Sequence, residues 1–299
     1  MTHYSIKDLE NLSGIKAHTI RIWEKRYHLL DPERTDTNIR YYSNDDLRRI
    51  LNVALLVKNG FKISKVAKFD NAKLQSEVIR QNKNLVDPEK NMDQLLFHTV
   101  NMDILGFEQL FNKMIQENGF SKTMEQVIFP FFERIGILWQ AGTIFVSQEH
   151  FVSNLVRNQL IIEAAKFDNQ SADRTMLFFL HEEEMHELGL LYFSYLAAQN
   201  GFRSIYLGQN VPFGDLTNLM KNNEFDFICT TFIQAIEKPA LEKYLTMLSL
   251  ISPENKILVA GRQIAIQKPK LPPNTFIIKN NHDFAKRLHL NTEINSEKM

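Results

Sequence analysis

The chain has 299 residues, 44% hydrophobic and 23% charged, the composition of folded globular protein with room for two or three domains. Its 35 basic and 35 acidic side chains cancel, so net charge alone points to neither a nucleic acid nor a membrane surface. The single cysteine, Cys229 in FICTTF, excludes an intramolecular disulfide framework and a cysteine-based zinc site.

The charge is unevenly spread. Residues 1–70 carry 13 basic and 9 acidic side chains, a local +4, which leaves 22 and 26, or −4, for residues 71–299. The N-terminal region is therefore where phosphate contacts are expected. MTHYSIKDLE has neither the basic nor the apolar stretch of a signal peptide, and no run reaches about 18 apolar residues. The expectation is a cytoplasmic chain with no membrane partner.

Residues 4–69 read as short helices and tight turns. Ser5 followed by Ile6, Leu9 and Leu12 predicts a capped amphipathic helix, Ser13-Gly14-Ile15 a tight turn, and KAHTIRIWEKRY a second helix. Two short helices joined by a glycine-containing turn are the helix-turn-helix pattern, whose second helix reads the major groove. Ile20 and Trp23 share its apolar stripe with Tyr27, while Lys16, His18, Thr19, Arg21 and Lys25 can face outward. The stretch DPERTDTNIRYYSNDDL, Asp31–Leu47, has the composition of a short β-wing laying Arg34, Arg40 and Tyr41 on phosphates, or of an ordinary charged loop. Leu47, Ile50, Leu51, Ala54 and Leu55 then recur at helical spacing.

The run YSIKDLENLSGIKAHTIRIWEKRYHLLDPERTDTNIRYYSNDDLRRI resembles the DNA-binding domain of the MerR family, in the branch with WE(K/R)RY, PxRT and RxY before a DL helix. The resemblance implies a winged helix-turn-helix over residues 1–72 that binds double-stranded operator DNA as a dimer. Thr19, Arg21, Lys25 and Arg26 would lie in the reading helix, and Arg34, Arg40 and Tyr41 in the wing.

Between residues 75 and 167, MDQLLFHTV, GFEQLFNKMIQ, TMEQVIFPFFERIGILW and EHFVSNLVRNQLIIEAAKF suggest a four-helix bundle. A polar stretch without periodicity, Phe167–Arg174, follows as a linker. Over residues 175–292, five apolar runs at 175–180, 203–208, 226–233, 256–261 and 275–280 alternate with helical patterns, which argues for a doubly wound parallel sheet. Ligands in such sheets sit outside the carboxyl ends of the strands, where the segment HEEEMHELG, His181–Gly189, begins.

That segment packs two histidines and four glutamates into nine residues. A zinc helix of the HExxH type needs histidines four apart, and His181 and His186 are five apart. An acid/base pair would need a substrate pocket, yet the chain offers no glycine-rich phosphate loop or nucleophile elbow. A solvated helix start remains the plain alternative.

Glu184, His186 and Gly189 form an ExHxxG pattern similar to the DxHxxG of cobalamin-binding domains. The resemblance implies His186 as lower ligand to cobalt, Glu184 holding its other N–H as outer partners of metal-bound imidazoles do, and Gly189 keeping the turn bare for a large planar ring. His181, Glu182, Glu183 and Glu187 would then be solvation of the loop and helix start. The hydroxyl at the end of the third strand is kept, at Thr230 of the pair Thr230 and Thr231. Of the following Gly-Gly only Gly261 is kept; Ala260 adds a methyl group where the nucleotide tail would pass. Trp139, nine residues, Glu149 and His150 match the Wx9EH signature of the bundle that caps the upper face of cobalamin in CarH/LitR-type regulators. In light-sensing members a histidine follows that tryptophan, and here Gln140 does.

The expected fold is thus multidomain α and α/β: a winged helix-turn-helix, a four-helix bundle and a Rossmann-like domain, in the order of CarH/CarA-type repressors. The resemblance implies a non-enzymatic transcriptional repressor that senses cobalamin, with adenosylcobalamin as the form and light as a further input. It would act by linking cofactor binding to a homo-oligomer, dimer or tetramer. Two rival readings stand beside it: a C-terminal half that keeps the fold for oligomerisation or partner binding without cofactor, and a corrinoid methyl-transfer enzyme.

Overall fold

The computed structural model describes residues 4–34, 38, 40–58, 60–74, 77, 88–140, 144–167 and 171–288. The chain divides into two compact units, Met1–Leu155 and Val156–Met299.

In the first unit, Ser5 opens helix α1 (Ile6–Ser13) through a capping box: its hydroxyl accepts from the Asp8 N–H at 3.2 Å, and Asp8 accepts from the Ser5 N–H at 2.8 Å. Gly14 ends the helix in the left-handed region at φ 71°. Helix α2 (Ala17–Tyr27) buries Ile20 and Trp23. Strands β1 (Glu33–Arg34) and β2 (Arg40–Tyr41) pair antiparallel as the wing, while residues 35–37 and 39 lie outside the described residues. Helices α3 (Asn44–Lys58) and α4 (Ile63–Val66) complete the head. Arg49 staples it: Nε donates to the Leu29 carbonyl at 2.8 Å and Nη2 to the Ala67 and Phe69 carbonyls at 3.2 and 3.0 Å.

The bundle consists of α5 (Pro88–Val100), α6 (Ile104–Asn118), α7 (Phe120–Thr123), a π-helical turn Met124–Ile128, α8 (Phe129–Gln140) and α9 (Val146–Ala164). The segment from α7 to α8 is helical throughout, giving four helical stretches. Its wide turn lies just ahead of Pro130, which has no N–H to donate and whose ring crowds the carbonyl four residues back; the Phe129 N–H reaches five residues back, to Met124. Phe107 packs its ring 6.1 Å from Phe111 and 6.5 Å from Phe131, and Met114 and Met124 are also fully buried. Gly106 is required: a Cβ there would lie 2.2 Å from Nδ1 of His98, which Asp103 holds at 2.8 Å.

Head and bundle are tied together within this unit. Asp93 accepts from Lys58 at 2.5 Å and from Arg134 at 2.7 Å. Tyr4 packs 6.5 Å from the Phe145 ring and exchanges backbone hydrogen bonds of 3.0 and 2.9 Å with Tyr42 behind the wing.

The second unit alternates strand and helix: β3 (Thr175–His181), α10 (Leu188–Gln199), β4 (Arg203–Val211), α11 (Phe213–Asn222), β5 (Phe227–Thr231), α12 (Lys238–Ile251), β6 (Lys256–Ala260), α13 (Arg262–Gln267), β7 (Thr275–Ile277) and α14 (Asn281–Arg287). The sheet order is β4-β3-β5-β6-β7 and every neighbouring pair is parallel. Leu177, Phe179, Ile228, Ile257 and Val259 pack on one face with Leu216, Leu241, Leu245 and Leu248 from α11 and α12. Met176, Phe178 and Leu180, equally buried, point the other way by strand alternation. Helix α10, buried from Leu190 to Ala198, contacts β3 and α14. A strand buried on both faces explains why TMLFFL is a continuous apolar run. The chain leaves β3 for β4 on one side and reaches β5 on the other, so a topological switch point opens between the carboxyl ends of β3 and β5.

Candidate functional site

The loop after β3 spans that switch point. Glu184 is fully buried and its carboxylate takes four donors. Oε1 accepts from His186 Nδ1 at 2.6 Å and from the His186 N–H at 2.9 Å; Oε2 accepts from the N–H groups of Ile233 and Gln234, just past β5, at 2.8 and 2.7 Å. Burial alone would raise its pKa; the His186 imidazole and the Gln234, His186 and Ile233 amides outweigh that and hold the carboxyl down at about 2. An ionised Glu184 fixes the His186 tautomer with hydrogen on Nδ1, so the other ring nitrogen, Nε2, is the one suited to ligation. The His186 side chain is 59% exposed.

Around it lie an uncrowded glycine and several buried polar atoms that a polar ligand could satisfy. A Cβ on Gly189 would meet nothing within 4 Å. At the ends of β3 and β5, His181 Nε2 and the Thr230 and Thr231 hydroxyls, and on α12 the Tyr244 hydroxyl, are buried without a hydrogen-bond partner among the described residues. Each such orphan costs about 1–3 kcal/mol unless a ligand or water satisfies it. Gly261 sits at φ 107°, where a Cβ would lie 2.3 Å from the Phe232 carbonyl oxygen, so this glycine is demanded by the chain's own backbone. Ala260 is buried and its carbonyl accepts from the Phe232 N–H at 2.9 Å.

Two residues of HEEEMHELG differ from the expectation of solvation. His181 stacks on Phe232 with centroids 5.0 Å apart and contacts Tyr244 at 5.6 Å, with Nδ1 on the Glu182 carbonyl. Glu187 is buried, accepting from Arg157 Nε at 2.6 Å and from the Tyr206 hydroxyl at 2.9 Å. Those partners lie 30 and 19 residues away, beyond the reach of local pattern. Glu182 and Glu183 are exposed as expected. Glu183 takes a left-handed φ of 68°, its N–H donating to Asn210 at 2.9 Å.

On the bundle, Trp139 in the last turn of α8 is 49% exposed, as are the apolar Phe145 and Val146 at 43% and 49%. Glu149, in the first turn of α9, holds His150 Nδ1 at 2.8 Å and the Ser153 hydroxyl at 2.6 Å. The Gln140 side chain and residues 141–143 lie outside the described residues.

On the head, Arg21, Lys25 and Arg26 are exposed and Thr19 half-buried along α2. Arg34 is exposed and donates to Asn38 at 2.5 Å; Tyr41 donates to Glu33 at 2.5 Å. Arg40 is partly engaged, with Nε 3.6 Å from the buried Glu24, which also accepts from the Tyr42 hydroxyl at 2.6 Å. Sequence reasoning missed Glu24, whose role depends on the wing folding back over α2. Lys65 and Lys68 join Arg26, Tyr27 and His28 around a hollow at the end of α2, extending its cationic face.

A winged reading helix and, in the same chain, an imidazole loop at the switch point of a parallel sheet are the parts of a ligand-responsive DNA-binding regulator. Residues 4–73 match the MerR HTH family regulatory protein, and residues 92–162 match the B12 binding domain. The transcriptional repressor CarH of Myxococcus xanthus is 28% identical over 82% of this chain and 84% of its own length. The repressor CarA of the same organism is 23% identical over 77% of this chain and 76% of its own. The monomethylamine corrinoid protein of Methanosarcina barkeri shares the fold at a TM-score of 0.54 and 15% identity, over 68% of this chain and 99% of that one. The chain is thus similar at residues 4–73 to MerR-type DNA-binding heads, at residues 92–162 to a B12 binding domain, and along most of its length to the repressors CarH and CarA. No helix among the described residues is long and apolar enough to cross a membrane.

Proposed function

We infer that the protein is a transcriptional repressor that binds operator DNA through its MerR head and senses cobalamin, in the adenosyl form, through its C-terminal half. The observation that carries this reading is His186, its Nδ1 held by the buried Glu184 at 2.6 Å and its side chain exposed at the switch point. A corrinoid supplies a cobalt centre with an exchangeable upper ligand. His186 would hold the metal from below with Glu184 fixing its tautomer, and Gly189 leaves room for the ring. Thr230, Thr231 and Gly261 belong with the nucleotide tail. Trp139 offers a flat apolar surface to the upper ligand, and Glu149 and His150 offer it hydrogen bonds.

On the head, Thr19, Arg21, Lys25 and Arg26 would meet bases and phosphates in the major groove, with Arg34, Arg40 and Tyr41 on the flanking backbone. Three domains, 1–72, 75–167 and 175–292, would divide these tasks. Regulation is linkage: the cofactor favours one homo-oligomer, and that arrangement sets how many heads engage DNA at once. No catalytic step is needed, and the protein would act in the cytoplasm.

The test is the absorbance spectrum of purified full-length protein after mixing with adenosylcobalamin and desalting, for wild type and His186→Ala, before and after green light. Retained corrinoid with a spectrum altered by His186→Ala is expected. A wild type that retains none sinks the reading and leaves the oligomerisation module; retention without change in light removes light as an input.

A further inference from the structure

The segment carrying His186 is bolted at both ends by carboxylates, and only one of these bolts is explained by holding the imidazole. Glu184 binds the ring and the turn after β5. Glu187, on the other side of His186, makes no contact with that ring among the hydrogen bonds it forms. Its Oε1 accepts from Arg157 of α9 at 2.6 Å, its Oε2 from Tyr206 of β4 at 2.9 Å, and its carbonyl from the Leu191 N–H at 2.8 Å, in the first turn of α10. The Glu187 side chain is 10% exposed against 42% for Arg157. An exposed ion pair contributes little; here a buried carboxylate would be left with one donor if Arg157 were lost, and the backbone beside His186 would have to move to rehydrate it.

We propose that Arg157 is a positioning residue for His186: through Glu187 it pins the imidazole loop to helix α9, fixing the height at which the ring meets its metal. The proposal rests on the reading of His186 as a cobalt ligand and adds that the ligand's placement depends on a helix outside the ExHxxG loop. Tyr206 anchors the same carboxylate from the sheet, so Glu187 is held from two elements and the loop cannot follow one without the other.

The probe is cob(II)inamide, a corrinoid with no nucleotide base, so nitrogen splitting in its electron paramagnetic resonance spectrum comes from the protein. Full-length wild type, Arg157→Met, Arg157→Lys and the control His186→Ala are compared, together with amide hydrogen exchange of residues 182–188 in the absence of corrinoid. Wild type shows the splitting and His186→Ala lacks it. Arg157→Met binds about tenfold more weakly, at the low end of the effect of outer partners on metal affinity, with a smaller split fraction. Its loop amides exchange faster while those of β6 do not, and Arg157→Lys restores much of both. Unchanged loop exchange in Arg157→Met, or wild-type affinity and splitting, overturns the positioning role alone. A wild type without nitrogen splitting overturns the cobalt-ligand reading of His186, and this proposal with it.

Discussion

Replacing Glu184 with glutamine tests how the site is held together. The carboxylate offers two oxygens to four donors, and each oxygen serves two of them. Glutamine keeps the shape but turns one oxygen into an amide NH2. If that group faces Ile233 and Gln234, two backbone N–H groups lose their acceptor. If it faces His186, the His186 N–H loses its acceptor and the imidazole must shift its hydrogen to Nε2 to accept from the amide. A buried donor left unsatisfied costs about 1–3 kcal/mol, so Glu184→Gln should cost about 2–6 kcal/mol in the first case and about half that in the second. Trp23 and Trp139 both lie in the first unit, so tryptophan fluorescence would miss the change. Native-state hydrogen exchange of the β5 amides reads it directly. The cheaper arrangement also puts hydrogen on Nε2, abolishing nitrogen splitting with cob(II)inamide even where corrinoid is retained. Protection of β5 within about 0.5 kcal/mol of wild type, close to the scatter of neutral substitutions, would refute the four-donor account.

Acid should loosen the same loop: the Glu184 pKa in the fold, about 2, lies below the ordinary 4.5, so its contribution is complete above pH 4.5 and lost as pH falls toward 2. That contribution is about 3 kcal/mol at roughly 1.4 kcal/mol per unit, and Glu184→Gln should flatten the pH dependence of β5 protection in that window. Gly261→Ala forces a methyl group against the Phe232 backbone at a positive φ and should destabilise the sheet by about 2–4 kcal/mol, measured by the same exchange. Tyr42→Phe removes the hydroxyl that satisfies Glu24 and should cost the head about 1–2 kcal/mol, read by Trp23 emission during urea unfolding in a Trp139→Phe background. Arg34→Ala, at the exposed wing, should weaken binding evenly across DNA sequences and reduce the salt slope by about one; a sequence-selective loss would contradict a phosphate role.

What was legible in the sequence was local. The Ser5 cap, the Gly14 stop, the paired arginines of the wing and the strand-helix alternation after residue 175 all depend on neighbours a few residues apart, and the fold reproduces them. Glu184 and His186 were legible through the resemblance of ExHxxG to DxHxxG, and being two residues apart they need no distant element to meet. The partners of Glu187, Glu24 and Arg49 come from elements distant in sequence, and their burial is settled only when those elements pack. HEEEMHELG illustrates the limit: its four glutamates look alike in sequence, yet Glu184 and Glu187 are buried while Glu182 and Glu183 are exposed. The need for glycine at 261 was not legible from its neighbours, because it comes from the backbone of Phe232 crossing it from another strand end.

The π-helical turn at Met124–Ile128 has a consequence beyond accommodating Pro130. At about 3.6 residues per turn, one extra residue rotates everything that follows by roughly 100°. The bearing of Trp139 is therefore set well upstream, by an insertion in an otherwise ordinary helix. Deleting one uncharged residue there would leave the net charge and every named site residue intact, yet turn the tryptophan by more than a quarter of a circle. In this protein the bearing of Trp139 is a matter of phase, and a length change can retune it as surely as a substitution.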